Sequence, residues 1–66
     1  MRLTINGQQK EFSERLILLD LVNEYTKNQQ TLVIELNDEI IKREEWAEKK
    51  LQDGDKIELV SFVGGG

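Results

Sequence analysis

The chain has no cysteine and no histidine. Without thiolates it can form no disulfide and has no sulfur nucleophile. Without imidazole it lacks the side chain that titrates near neutral pH and the commonest metal ligand. Structural zinc, which needs one or the other, is excluded as well. Proline is also missing, and aromatic residues amount to 6%. Basic residues are outnumbered by acidic ones, 9 against 13, for a formal charge of −4. Such a chain has no basic face with which to release counterions from a phosphate backbone, so nucleic acid is not an expected partner. Long hydrophobic runs are lacking too. The longest, Leu16–Leu19, is far below the roughly 20 residues that cross a bilayer, and no membrane partner is expected. The first residues show no signal-peptide pattern, so the expected location is the cytoplasm.

What remains is a balanced globular composition, 38% hydrophobic and 33% charged in 66 residues. That length allows one small domain with a thin core. Met1–Asn6 alternates apolar and polar residues, as a half-buried strand does. Asn6-Gly7 suits a type I′ hairpin, which needs positive φ at both central positions. Gln8–Phe12 then returns as a polar strand suited to a sheet edge. Leu18, Leu21, Val22 and Tyr25 fall at helical spacing and predict a helix over about 17–27, with Ser13 as a candidate N-cap. Thr31–Leu36 is β-branched and apolar, a strand. Asn37-Asp38 is a tight turn and Glu39–Ile41 a short return strand. Arg43–Lys50 has no wide apolar stripe and predicts a single 3₁₀ or helical turn anchored by Trp46. Asp53-Gly54-Asp55 is a turn, and Lys56–Val63 the longest strand, with Ile57, Leu59 and Val63 on one face and Val60 and Phe62 on the other. The fold class expected is α+β: a mixed sheet covered on one face by one helix, with the first and last strands adjacent in the middle. That arrangement is the β-grasp, or ubiquitin-like, fold. It would occupy residues 1–63, followed by a flexible tail over 64–66.

Three of the five glycines close the chain as Gly64-Gly65-Gly66. Glycine contributes nothing to a sheet, and one reading is a frayed end. The other is chemical. A terminal glycine carries an ionised α-carboxylate on a thin stem that can thread a narrow channel. That carboxylate can attack the α-phosphate of ATP if a second protein supplies nucleotide and Mg²⁺. Backbone bonds from the partner must then offset roughly 1–2 kcal/mol of ordering entropy per residue. No other residue rivals this tail. Ser61 has no base beside it. Asp53 and Asp55 are explained by turn chemistry, and Glu44, Glu45 and Glu48 read as a solvated face, so no metal site is expected. Trp46 is expected in the core rather than at an interface. Val60 and Phe62 allow two readings: an apolar patch beside the tail, extended by Val63 and open to a partner, or residues covered by the loop that carries Trp46.

The sequence resembles the ThiS family, the sulfur carriers of bacterial thiamin biosynthesis. The resemblance covers nearly the whole chain. It rests on LTINGQ, LLDLVNEY, VIELNDEIIKREEW with Arg43 and Trp46, LQDGDKIEL, and the terminal FVGGG. The family pattern needs two terminal glycines, and here there are three, so Gly66 carries the reactive carboxylate. The resemblance implies no catalytic residues and no bound cofactor. Gly66 would be adenylated by an E1-like adenylyltransferase (ThiF) that uses ATP and Mg²⁺, with Gly64 and Gly65 in the partner's channel. Sulfur, drawn indirectly from a cysteine desulfurase or another donor, would displace AMP, and thiazole synthase (ThiG) would consume the thiocarboxylate. The small subunit of molybdopterin synthase shares this tail chemistry but is usually longer, commonly with proline near the tail. A ubiquitin-like protein modifier would share the fold and the glycine tail, and a plain interaction domain would leave the tail idle.

Overall fold

The computed structural model describes residues 1–13 and 15–61. Its elements are β1 (Arg2–Ile5), β2 (Gln8–Glu11), α1 (Leu18–Tyr25), β3 (Leu32–Leu36), β4 (Glu39–Ile41), a 3₁₀ turn (Arg43–Glu45) and β5 (Lys56–Ser61). The sheet order is β2-β1-β5-β3-β4. Pairing is antiparallel except between β1 and β5, which run parallel. The chain's first strand therefore lies beside the last, and β5 occupies the centre, as the apolar content of both predicts. The fully exposed β2 takes one edge.

One face of the sheet is dry. Leu3 and Ile5 of β1, Ile57 of β5, and Leu32, Ile34 and Leu36 of β3 point toward Leu18, Leu21 and Val22 of α1. Trp46 and Leu51 close the same core from the connection between β4 and β5. Trp46 is 2% exposed, and its indole N–H donates to the Ile41 carbonyl at 3.0 Å, so its one polar group is satisfied. Arg43 lies over the indole, 5.3 Å from the ring centroid, and donates to the Gln29 carbonyl. The two residues thus tie the β4–β5 connection to the loop before β3.

The helix is shorter at both ends than its apolar spacing predicts, and Ser13 is not its cap. Ile17 is extended (φ −97°, ψ 159°) and offers no side-chain cap. It forms a bridge with Lys50. The first free amides of α1 find main-chain acceptors instead: Leu18 N–H donates to the Lys49 carbonyl (2.7 Å) and Leu19 N–H to that of Trp46 (3.0 Å). A tertiary segment performs the task usually left to a capping side chain. At the other end Thr26 leaves the helical region, and its hydroxyl accepts from Asn28 N–H at 3.1 Å. This local bond competes with another helical turn.

Both asparagine turns adopt positive φ, at Asn6 (49°), Gly7 (81°), Asn37 (52°) and Asp38 (70°). Each asparagine also has a second task. Asn6 Oδ1 accepts from Leu59 N–H at 2.8 Å, extending the β1–β5 ladder one step beyond the end of β1. Asn37 Oδ1 accepts from Lys56 N–H at 2.9 Å, while its amide donates to Asp55 at 3.0 Å. Two side chains suited to turn conformation therefore also hold the central strand.

Asn6→Gly keeps the positive φ but removes the acceptor. It is expected to cost about 0.5–1.5 kcal/mol, a Tm drop of roughly 4–8 °C per kcal/mol for a domain of this size, with hydrogen exchange at Leu59 accelerated beyond the global change. Trp46→Ala is expected to cost about 3–5 kcal/mol, a large share of what so small a domain holds. Trp46→Phe, which keeps most of the volume but strands the Ile41 carbonyl, should lose distinctly less. Urea titrations followed by far-UV circular dichroism would check the order.

Candidate functional site

The tail predicted to carry the chemistry leaves from β5. Phe62, Val63, Gly64, Gly65 and Gly66 lie outside the described residues, so the geometry bears on the platform they are attached to. That platform is the strand between β1 and β3, paired with β1 at Lys56 and Ile57 and with β3 from Ile57 to Ser61. Its last described residue, Ser61, pairs with Leu32, and its hydroxyl is 3.4 Å from that of Thr31, a bond that leaves it no base.

Val60 is the one residue of the predicted patch that can be placed. It points away from α1, on the face opposite Ile57, and is 41% exposed. The loop carrying Trp46 packs on the helix side of the sheet, so of the two readings of this patch the structure supports the open one at Val60. Across the ladder Val60 faces Val33 of β3, which is half-buried. Ile40 on β4 is 69% exposed and sits opposite Glu35. The open face therefore carries an apolar cluster of Val33, Ile40 and Val60. Of these three, only Val60 stands out in the sequence. Val33 is hidden in a uniformly apolar run, although the burial of Leu32, Ile34 and Leu36 at every second position is the period-2 signal that puts Val33 outside. Ile40 lies in a three-residue strand too short to show a period.

The same face holds acidic groups that sequence reasoning missed. Carboxylate oxygens of Glu35, Asp38 and Glu58 lie within 4.8 Å of one another. Lys56 is in their midst, with Nζ 3.0 Å from Asp38 Oδ1. The hydrogen bond to Asp38 and the negative charge of Asp38, Glu58 and Glu35 hold the lysine pKa above its ordinary value. A cation of the chain's own thus already serves the trio, and the three residues come from separate positions in β3, the β3–β4 turn and β5, which no sequence spacing would link.

The other acidic candidates behave as turn and surface residues. Asp53 accepts from Arg2 N–H (2.6 Å) and Asp55 from Gln52 N–H (2.7 Å). Glu44, Glu45 and Glu48 are exposed. A concavity of about 300 Å³ lined by Arg15, Leu16, Ile17, Lys50, Leu51 and Gln52 offers two cations and no acid–base pair. Among the described residues, then, the geometry builds a strand end paired to β3 on one side, beside an apolar and acidic sheet face. It builds no arrangement of nucleophile, base and oxyanion donors.

Comparison with known proteins agrees with this picture. The ThiS family model matches residues 3–66. The sulfur carrier protein ThiS of Bacillus subtilis is 37% identical over 65 residues, covering 97% of this chain and 98% of its own. A thiazole synthase of Paramagnetospirillum magneticum is 36% identical over 66 residues; the match takes in 100% of this chain but 20% of that one, so the chain spans a fifth of the length of this relative. Among solved structures, the thiamine biosynthesis protein ThiS of Geobacter metallireducens superposes with a TM-score of 0.83 at 33% identity, over 100% of both chains.

Proposed function

The chain belongs to the ThiS family, and we propose that it is a sulfur carrier of thiamin biosynthesis, a protein co-substrate rather than an enzyme. The observation that carries this reading is the family match itself, which runs from β1 through the terminal glycines, residues 3–66.

In this reading the reactive group is the α-carboxylate of Gly66. An E1-like adenylyltransferase binds ATP and Mg²⁺, and a Gly66 carboxylate oxygen attacks the α-phosphorus, releasing pyrophosphate. The acyl-adenylate is the activated form, because AMP leaves far more readily than oxide. A sulfur nucleophile, supplied indirectly by a cysteine desulfurase or another donor, then takes the place of the oxygen that departs with AMP. The resulting thiocarboxylate stores sulfur as a nucleophile without free sulfide, and thiazole synthase takes it up. Gly64 and Gly65 let the stem enter a narrow channel, where only hydrogen atoms project from the α-carbons. The domain contributes recognition and a firm attachment. The match of the whole chain to a fifth of a thiazole synthase supports that enzyme as the acceptor. The proposed location is the cytoplasm, where thiamin intermediates and ATP are available; among the described residues no helix is long and apolar enough to cross a membrane.

Incubation with the adenylyltransferase, ATP, Mg²⁺, cysteine and a desulfurase is expected to replace one carboxylate oxygen by sulfur, read as intact mass. An unchanged mass with demonstrably active partners would refute the carrier reading, and a covalent adduct with another protein would favour a modifier. Deleting Gly66, or adding a residue after it, is expected to abolish sulfur acquisition. Tm should stay within about 4 °C, since changes away from a packed core are worth less than ~0.5 kcal/mol and the core among the described residues spans Leu3–Ile57.

A further inference from the structure

The chain carries two clusters of like charge, and they differ in what answers them. On the open face Glu35 and Glu58 stand opposite each other across β3 and β5, and Lys56 serves both of them and Asp38. The other cluster is basic. Arg15, Lys49 and Lys50 are exposed on the two segments that meet at the Ile17–Lys50 bridge. Those segments are held side by side by main-chain bonds, Leu18 N–H to the Lys49 carbonyl (2.7 Å) and Leu51 N–H to the Leu16 carbonyl (2.9 Å). Two concavities share Lys50: the one of about 300 Å³ that also takes in Arg15, and one of about 150 Å³ that takes in Lys49. Among the described residues the ion pairs are Arg2–Glu11 and Lys56–Asp38, so none of the three cations pairs with a described carboxylate. Asp55, the one carboxylate lining either concavity, is engaged through both oxygens. Its Oδ1 accepts from the Asn37 amide at 3.0 Å and its Oδ2 from Gln52 N–H at 2.7 Å. Three gathered cations repel one another, and a local rule broken without a gain inside the molecule tends to mark a place used for something else.

The larger concavity shows which anion suits it. Its apolar part is Leu16, Ile17 and Leu51, the first two half-buried and the third buried, and its polar part is Arg15, Lys50 and Gln52. An apolar floor with a few convergent polar groups is the common make-up of a small-molecule site, and this volume is at the lower end of the common range. A guanidinium donates two parallel bonds to a phosphate, and an ammonium adds a point charge. A phosphate monoester carries about −1.5 to −2 at neutral pH. That charge suits three cations better than a single carboxylate would. The place is also remote from the glycines. Its Asn37 side is bonded to Lys56, where β5 begins, and Ser61, from which the tail leaves, is roughly 17 Å farther along the strand.

We propose that Arg15, Lys49, Lys50 and Gln52 form a binding site for a small phosphate monoester whose apolar ring or chain rests on Leu16, Ile17 and Leu51. Arg15 and Lys50 hold the phosphate, and Lys49 adds attraction from the adjoining concavity. The site does not depend on the carrier reading. Because it lies at the opposite end of β5 from the tail, the ligand can stay bound while the glycines are engaged by another protein.

The probe is phenyl phosphate, titrated into the ¹⁵N-labelled full chain at constant ionic strength. Saturable amide shifts are expected, confined to Arg15–Leu18 and Lys49–Gln52. Inorganic phosphate, which has no apolar group, should bind about tenfold more weakly. Binding should also weaken as pH falls through about 6, where the ester loses its second charge while lysine and arginine keep theirs. Arg15→Gln/Lys50→Gln should weaken binding at least about tenfold and leave Tm unchanged, because both positions are exposed. Shifts that fail to saturate, that sodium chloride reproduces, or that persist in the double variant overturn the site. Equal affinity for inorganic phosphate overturns the ligand class. Glu14 adjoins Arg15 in sequence and lies outside the described residues. Binding seen only in Glu14→Gln would show that the cations are already served by a carboxylate of their own chain, and overturns the site too.

Discussion

The placement of β5 between β1 and β3 is the constraint on which the other features depend. Ile57 is opposite Ile5 on one side and Leu36 on the other, so the first half of the last strand is bonded along both edges and buries the middle of the core. The parallel half of that arrangement requires the chain to travel from β1 through a hairpin, the helix and a second hairpin before returning to its own beginning. The helix then has only one face of the sheet to cover, and the opposite face is left open. The segment that bridges β4 to β5 passes over the start of α1, which explains why Trp46 and Lys49 supply its first acceptors. Local opening is rarest where ladder bonds and buried contacts are densest. In β5 that density lies at Lys56–Leu59, whereas Val60 and Ser61, at the end that leads to the tail, pair with β3 alone.

Much of this is legible in the residues. Alternation in Met1–Asn6, the Asn-Gly and Asp-Gly turns, and the helical spacing of Leu18, Leu21, Val22 and Tyr25 are enough to order the elements and to put β2 at an edge. The single 3₁₀ turn ending on a buried Trp46 follows from the lack of an apolar stripe. Sequence patterns report each segment's own preferences, however, and three features here are properties of pairs. The ends of α1 escape the helical spacing because its cap is main chain from a distant loop. Asn6 and Asn37 read as turn residues, and their second bonds to Leu59 and Lys56 depend on which strand lies alongside. The opposition of Glu35 and Glu58 exists only once the register of β3 against β5 is known. At the candidate site, Val60 is readable from alternation, whereas Val33 and Ile40 join it through pairing.

The absence of cysteine and histidine takes on a different meaning in this setting. A protein that carries sulfur on its main-chain end is best served by a body that cannot compete for it. Thiols would exchange with activated acyl groups, and imidazoles would hydrolyse them. Several of the polar side chains that are present are occupied: Asp53 and Asp55 by backbone amides, Ser61 by Thr31, Trp46 by Ile41. In the proposed function, chemistry is thereby left to the tip.

The position of β5 also orders events during synthesis. Translated after every other element of the domain, it is the piece that joins the β1–β2 hairpin to the β3–β4 hairpin, and small hairpins are marginal by themselves. Until Lys56–Ser61 has emerged, β1 and β3 have no common neighbour and the open face does not exist. A chain interrupted before β5 therefore lacks the strand that joins the two halves of the sheet. Assembly of the sheet, and with it the single core under α1, therefore waits on the last strand.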